Sequence, residues 1–189
     1  MSKRLLTKAT DLAKHVIDIK LQKGMTAVDA TIGNGNDTLE LAKRVGSNGK
    51  VYGFDIQKVA IDSSKELLEK NNLLDRVELI CDSHERISEY INDKIDLAIF
   101  NLGYLPSGDH SIITKPNTTL KGIESVLYSL KENGILIVVV YYGHSGGKEE
   151  KIAVEKYLNK LDQRKFTVMK MDFINQINNP PFIFCIEKI

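Results

Sequence analysis

The sequence predicts an α/β protein built around one mostly parallel sheet. Short apolar runs alternate with helical patterns along most of the chain, and the last two runs follow each other without a helix. Alternating strands and helices favour parallel strands joined by right-handed crossovers, with helices on both faces. A glycine-rich turn after the first strand indicates a ligand site, because ligands of such sheets bind beyond the carboxyl ends of the strands.

Seven apolar runs are predicted to be strands. They lie at 25–29, 51–55, 77–81, 95–101, 134–141, 166–172 and 182–187. The run 134–141 is almost wholly apolar, which is typical of a strand at the centre of a parallel sheet. Only about ten residues, including Pro180 and Pro181, separate the last two runs. A parallel crossover needs roughly a dozen or more residues, so these two strands should form an antiparallel pair at the end of the sheet.

The intervening segments have helical patterns. Helices are predicted at 3–23, 37–44, 58–71, 117–131 and 148–161, with a short one before residue 95. The first is an additional N-terminal helix, whose apolar face is formed by Leu5, Ala9, Leu12, Val16 and Ile19. Its six basic and two acidic residues give a local charge of +4, which fits either an RNA-facing stripe or a solvated face. Thr118 or Thr119 is the expected cap of the helix at 117–131.

Length and composition limit the class of protein. The 189 residues fit one domain spanning 1–189, and the net charge of +1 means that any nucleic-acid contact comes from a local patch. The amino terminus lacks the apolar core of a signal peptide, and no run approaches the roughly 20 apolar residues that span a bilayer. A cytoplasmic protein without membrane contact is expected. Cys81 and Cys185 lie in strand-like runs without a C-x-x-C spacing, which predicts buried thiols.

The turn after the first strand predicts a cofactor site. It reads Asp29-Ala30-Thr31-Ile32-Gly33-Asn34-Gly35-Asn36-Asp37. The two glycines allow a ligand to approach the backbone, and the following helix offers unpaired N–H groups. A dinucleotide-binding turn would carry a third glycine, which is absent here. Polar and acidic side chains stand where a pyrophosphate prefers bare backbone, so a cationic, phosphate-free cofactor with a ribose suits the turn better than a dinucleotide.

Asp55 supports this interpretation of the turn. It ends the second strand, twenty residues beyond Gly35. A carboxylate at that position can accept hydrogen bonds from both ribose hydroxyls. Together with the antiparallel strand pair, Asp55 distinguishes this pattern from a bare Gly-x-Gly turn.

These features resemble the class I S-adenosylmethionine-dependent methyltransferases over nearly the whole chain. The resemblance implies a Rossmann-like sheet of seven strands and S-adenosyl-L-methionine as cofactor, with S-adenosyl-L-homocysteine as product. It implies that Asp55 holds the ribose, and that Asp82, Ser83 and His84 meet the adenine. The full set of implied cofactor residues is Asp29, Gly33, Asn34, Gly35, Asn36, Asp37, Asp55, Gln57, Asp82, Ser83 and His84. Thr31 departs from the first glycine of the family's usual turn.

The segment after the fourth strand resembles a substrate-binding motif. Asn101-Leu102-Gly103-Tyr104-Leu105-Pro106 is similar to the Asn-Pro-Pro-Tyr motif of methyltransferases that act on amino nitrogens. The side-chain oxygen of Asn101 can orient an amine for in-line attack on a methyl group, and Tyr104 can pack on a planar base. Gly103 replaces a proline of that motif. His110 lies in the same loop and is a further candidate for substrate contact.

The segment after the fifth strand supplies a candidate base. It reads Tyr141-Tyr142-Gly143-His144-Ser145-Gly146-Gly147. His144 can take a proton near neutral pH, and Tyr142 can stack on the target or hydrogen-bond to it. With Asn101, these two residues form the predicted catalytic set. Neither His110 nor His144 has a Cys or His partner at metal spacing, so no metal site is predicted.

The three motifs together are similar to small bacterial proteins often labelled rRNA methylases. Members act on tRNA as methyltransferases of the wobble base 5-aminomethyl-2-thiouridine, so the resemblance implies an anticodon-loop substrate unstacked into the pocket. An rRNA or small-molecule methyltransferase is the alternative; a nicotinamide oxidoreductase and a non-catalytic cofactor-binding protein fit less well. A homodimer would widen the RNA-binding surface of so small a domain, but the sequence does not decide the oligomeric state.

Overall fold

The structure is a computed structural model that describes residues 8–103 and 113–189. Six α-helices lie in these ranges: α1 Ala9–Lys20, α2 Asn36–Val45, α3 Lys58–Lys70, α4 Ile87–Tyr90, α5 Pro116–Ser129 and α6 Gly147–Leu158. The strands are β1 Thr26–Asp29, β2 Lys50–Phe54, β3 Val77–Ile80, β4 Ile95–Leu102, β5 Leu130–Val140, β6 Phe166–Met171 and β7 Phe182–Lys188. Short 3-10 helices at Leu74–Arg76 and His84–Arg86 complete the described elements.

The strands form one seven-stranded sheet in the order β3-β2-β1-β4-β5-β7-β6. Strands β1 to β5 are parallel to one another, whereas β7 runs antiparallel to both β5 and β6. The strand order reverses between β1 and β4, which is where ligands of open α/β sheets bind. The predicted Rossmann-like sheet with a C-terminal antiparallel pair is confirmed.

Helices cover both faces of the sheet because the central strands are apolar on both sides. Ala98 and Phe100 of β4 pack in one buried cluster with residues of α4, α5 and α6. Leu97 and Ile99 of the same strand point the other way, into a cluster with residues of α1, α2 and α3. This alternation is the two-residue period expected of a strand buried on both faces.

Two predictions about burial need correction. Ile19 of α1 is 82% exposed, whereas Ala9, Ala13 and Ile17 are buried. The buried residues lie four apart, and Ile19, two positions from Ile17, therefore points away from the sheet. Cys81 is exposed rather than buried. It lies just beyond β3, which pairs with β2 at the edge of the sheet formed by the described residues.

The junction of α5 and β5 also differs from the prediction. The helix ends at Ser129, and β5 begins at Leu130, which pairs with Ile95 before an irregularity in the register. Neither threonine caps α5: its N-cap is Lys115, without a side-chain cap. Thr119 is buried and donates its hydroxyl to Glu150 instead.

Candidate active site

A cavity of about 470 Å³ opens at the carboxyl edge of the sheet, on both sides of the reversal in strand order. Its volume is within the usual range for a small-molecule site. The residues after β1, β2, β3 and β4 all contribute to its wall. Those predicted from the sequence are Gly33, Asn34, Asn36, Asp37, Asp55, Gln57, Asp82, Ser83, His84 and Asn101.

The turn after β1 requires both of its glycines. Gly33 and Gly35 have φ angles of +55° and +74°, the left-handed region that favours glycine. A β-carbon at Gly35 would also lie 2.5 Å from the hydroxyl oxygen of Ser64 on α3. Gly35 therefore lets α2 and α3 approach each other, whereas Gly33 lies in the cavity wall.

Asp29 lies behind this turn rather than in the cavity wall. Its carboxylate accepts hydrogen bonds from the backbone N–H of Thr31 at 3.2 Å and from the hydroxyl of Thr38 at 2.6 Å. Burial, and then the charge of Asp37, raise the pKa of Asp29 to about 7. The structure thus gives Asp29 contacts that brace the turn and the start of α2.

Asp55 lies at the end of β2 and faces the cavity. One carboxylate oxygen accepts from the N–H of Gly33 and the other from the N–H of Gln57, both at 2.9 Å. Burial raises the pKa of Asp55, and these backbone hydrogen bonds oppose the rise. Each oxygen has a second lone pair, so two neighbouring hydroxyl groups can bind to this carboxylate at once.

Asp82 and Ser83 form the wall after β3 and are held by local contacts. Asp82 accepts from Arg86 and from the Tyr90 hydroxyl, both at 2.6 Å, and the tyrosine hydrogen bond is the main cause of its lowered pKa. The Ser83 hydroxyl accepts from the N–H of Glu85 and caps the short helix that follows. These contacts fix the outer rim of the cavity.

His84 is buried at the inner end of that wall, with 9% of its surface exposed. Its ring packs edge-on against Phe100 at a centroid distance of 5.5 Å, and its Nε2 makes no hydrogen bond. Burial lowers the pKa of His84 to about 4, so the ring is neutral at physiological pH. A neutral imidazole with an unpaired, buried nitrogen beside a cavity is suited to hydrogen-bond a ligand.

Asn101, at the end of β4, is fixed by two contacts. Its backbone N–H donates to the Thr31 hydroxyl oxygen at 2.7 Å, and its Nδ2 donates to the Asp37 carboxylate at 2.8 Å. Because a carboxylate only accepts, the nitrogen side of the carboxamide faces Asp37, which leaves the oxygen as an acceptor. The first contact accounts for Thr31, because a glycine at that position could not supply the hydroxyl.

Two hydrogen bonds form at Gly103, and the first of them explains why this position differs from the proline of the Asn-Pro-Pro-Tyr motif. Its N–H donates to the Thr114 hydroxyl oxygen, and its carbonyl accepts from the Thr114 N–H, both at 2.9 Å. Proline has no N–H and could not make the first of these bonds. Tyr104 and His110, the predicted substrate residues, lie outside the described residues.

The two tyrosines after β5 point in different directions. Tyr141 lines the cavity, whereas the ring of Tyr142 packs against Phe182 at 5.8 Å, with Lys151 Nζ 4.0 Å from its centroid. The structure therefore places Tyr142, a predicted catalytic residue, in the packing of α6 against β7 and not in the cavity wall. Tyr141 lies in the cavity wall, where Tyr142 was expected.

His144 lies near the cavity without lining it. Its Nδ1 is 2.9 Å from the carbonyl oxygen of Ser145, which can only accept, so the proton of the neutral ring lies on Nδ1. A β-carbon at Gly103 would lie 3.7 Å from His144 Nε2. The acceptor side of the imidazole therefore lies close to the chain that follows Asn101.

Sequence reasoning missed several wall residues. Besides Tyr141, they include Thr114, Lys115 and Thr118, which lie at or just before the start of α5. No motif marks them, and Thr114 is held at the cavity by hydrogen bonds to Gly103, eleven positions earlier in the chain. Among the described residues, no group of three or more His, Cys, Asp or Glu could hold a metal ion.

The donors and acceptors of the cavity fit S-adenosylmethionine. Asp55 suits the two hydroxyls of a ribose, the buried nitrogen of His84 suits a polar ring, and Gly33 permits close approach to the backbone. Asp29, Asp37 and Asp55 interact electrostatically around the turn. This acidic surrounding favours a cationic ligand over a phosphorylated one.

Comparisons with known proteins agree with this chemistry. Residues 51–187 match the sequence model of the family described as "Putative rRNA methylase". The chain is 38% identical to the tRNA (mnm(5)s(2)U34)-methyltransferase of Arabidopsis thaliana chloroplasts, over 96% of this chain and 70% of that protein.

Solved structures agree over the full fold. A Clostridium thermocellum protein with the same description as the family is 48% identical, with a TM-score of 0.96 over 97% of this chain and 99% of its own. A "putative methyltransferase" of Streptococcus mutans, solved in complex with SAH, is 44% identical, with a TM-score of 0.88 over the whole of both chains. The chain therefore belongs to this rRNA methylase family of S-adenosylmethionine-dependent methyltransferases.

Proposed function

We propose that this protein methylates the exocyclic amine of 5-aminomethyl-2-thiouridine at the wobble position of tRNA, which gives the 5-methylaminomethyl form. The observation that carries the proposal is the fixed carboxamide of Asn101, whose nitrogen is held by Asp37 and whose oxygen remains as an acceptor. An acceptor at this position suits a nucleophile that has hydrogens to donate. The relative named for the same modified uridine supports the choice of substrate.

The residues around Asn101 orient the acceptor nitrogen. The carboxamide oxygen accepts one amine hydrogen, and this contact directs the lone pair into the cavity, where the in-line geometry of methyl transfer requires it. When bound, S-adenosylmethionine supplies a methyl group on a positively charged sulfur. Asp37 adds a negative charge beside Asn101, which favours the approach of an amine that arrives as an ammonium ion.

His144 is the proposed acceptor of the ammonium proton. An ammonium has no lone pair, so one proton must leave before the nitrogen can attack. The Nε2 of His144 accepts when Nδ1 donates to the Ser145 carbonyl. Nε2 is buried near Gly103, close to the chain that follows Asn101.

The RNA is proposed to bind as an anticodon loop with one base unstacked. The exposed Lys115 lines the cavity and can contact a phosphate next to that base. The single domain 1–189 carries the whole reaction in this proposal, with Asp55, Asp82, Ser83 and His84 on the nucleoside part of the cofactor. Asn34, Asn36 and Asp37 lie on its methionine side.

The experiment is methylation of defined RNA by the purified protein. tRNA that carries 5-aminomethyl-2-thiouridine is incubated with S-adenosylmethionine and digested, and its nucleosides are measured by mass spectrometry. The same tRNA without the aminomethyl group is the control. We expect a gain of one methyl group on the modified uridine only. Methylation of rRNA, or of a metabolite pool, without methylation of this tRNA would overturn the proposal.

A further inference from the structure

Glu150 of α6 is a buried carboxylate that the reaction above does not use. Its residue surface is 1% exposed. Burial raises the pKa of Glu150. Two hydrogen bonds from hydroxyl groups, and then the interaction with His144, act in the opposite direction and lower it. A buried charge is costly unless its lone pairs are satisfied, and an apolar residue would fill the same space without that cost. The hydrogen bonds that this carboxylate accepts from neighbouring residues therefore explain its presence in the core.

Two threonine hydroxyls donate to this carboxylate. Thr119 Oγ1 donates to Oε1 at 2.6 Å, and Thr114 Oγ1 donates to Oε2 at 2.7 Å. Thr119 belongs to α5, so its bond joins two helices. Thr114 lies before α5 and lines the cavity. The two bonds are alike in length and chemistry but connect Glu150 to different parts of the protein.

Thr114 carries the contact onward to the chain beyond Asn101. Its hydroxyl oxygen accepts from the N–H of Gly103, and its own N–H donates to the Gly103 carbonyl. An ionised carboxylate can only accept a hydrogen bond, so the Thr114 hydroxyl must donate its proton to Glu150. Its oxygen lone pair is then available to accept from the N–H of Gly103. Glu150, Thr114 and Gly103 thus form a directed chain of hydrogen bonds that ends two residues from Asn101.

We propose that Glu150 is a positioning residue for methyl transfer: acting through Thr114, it fixes the backbone at Gly103 and thereby the acceptor group of Asn101. The inference rests on the proposed function, since it concerns the geometry of the methyl acceptor. The hydrogen bonds that Asp55 accepts come from Gly33 and Gln57, which lie outside this network. Loss of the network should therefore affect turnover and spare cofactor affinity.

The test compares Thr114→Val with Thr119→Val. Each variant removes one hydroxyl that donates to Glu150 and keeps the shape of the side chain, but only Thr114→Val loses the bond to Gly103. The melting temperature, the affinity for S-adenosylmethionine by calorimetry, and kcat and KM for the modified tRNA are measured for both. We expect Thr114→Val to lower kcat by about tenfold or more, because small misplacements of reacting groups are costly.

The other readouts separate positioning from stability. Thr114→Val also leaves the N–H of Gly103 without its partner, so it should lower the melting temperature at least as much as Thr119→Val does. Both variants should keep the affinity for S-adenosylmethionine within about twofold, while Thr119→Val keeps kcat within about threefold. Glu150→Gln retains one acceptor oxygen and should recover much of the kcat that Glu150→Ala loses.

Equal kcat for the two valine variants, or a loss of kcat that follows the loss of stability in all four, would overturn the inference alone. Absence of tRNA methylation by the wild-type protein would instead overturn the proposed function, and the inference with it.

Discussion

The hydroxyl of Thr31 accepts a 2.7 Å hydrogen bond from the backbone N–H of Asn101, which joins the turn after β1 to the end of β4. Thr31→Val removes this acceptor and leaves the half-buried N–H of Asn101 without this partner, at a cost of about 1 kcal/mol or more. We expect a lower free energy of unfolding and a lower kcat. Thr31→Ser keeps the hydroxyl and is the control; equal effects of both substitutions in denaturant titration would contradict this role.

Asp37 should matter for turnover because it holds the Asn101 carboxamide. Asp37→Asn removes the charge that fixes which end of the carboxamide faces it, so kcat should fall by about tenfold as the acceptor nitrogen loses its orientation. Asp62→Asn, at an exposed carboxylate paired with Lys58, is the control. A loss of S-adenosylmethionine affinity with unchanged kcat would limit Asp37 to cofactor binding.

Asp55→Ala should abolish cofactor binding. The carboxylate anchors the N–H groups of Gly33 and Gln57 and is the proposed partner of the ribose hydroxyls. Hydrogen bonds to a charged group contribute roughly 1.5–3 kcal/mol each, so losing two should weaken affinity by at least about a hundredfold. Calorimetry with S-adenosylmethionine measures this, with the exposed Asp75→Ala as control. Unchanged binding would contradict the assignment.

His144→Ala should lower kcat by about a hundredfold or more if the imidazole accepts the ammonium proton. The affinity for S-adenosylmethionine should stay near normal, because His144 does not line the cavity. His15→Ala, on the exposed side of α1, is the control for removal of a histidine. Full activity of the His144 variant would rule out this residue as the base.

His84 should make stability depend on pH. Its pKa is about 4 in the folded protein against 6.5 unfolded, so the unfolded state binds the extra proton between these values. The stabilisation is present above pH 6.5 and is lost as the pH falls toward 4, by up to roughly 3 kcal/mol. His84→Phe should show a smaller loss between pH 7 and 4.5 in denaturant titrations. An equal loss in both proteins would show that His84 is solvated.

Much of the site follows from strand ends that the sequence marks clearly. Asp55, Asp82 and Asn101 each follow an apolar run, and parallel strands bring their carboxyl ends to one edge. The antiparallel pair followed from the short connection before Phe182. These features are local, so periodicity and spacing are enough to place them.

The sequence-based predictions fail where contacts between residues far apart in the sequence determine the position of a side chain. Thr31 had no explanation until Asn101, seventy positions away, supplied its partner. Tyr141 and Tyr142 could not be told apart without knowing which way β5 ends, since neighbouring residues of an extended chain point to opposite sides. Thr119 has a helix-cap sequence signal, but Glu150 takes its hydroxyl.

The paired hydrogen bonds between Gly103 and Thr114 bring the chain back to the point where it left the sheet. A segment whose two ends meet can be lengthened or exchanged at small cost, because the entropy of closing a loop rises only slowly with its length. New acceptor specificities are therefore best sought by grafting between these two residues, with the rest of the protein kept as a fixed scaffold.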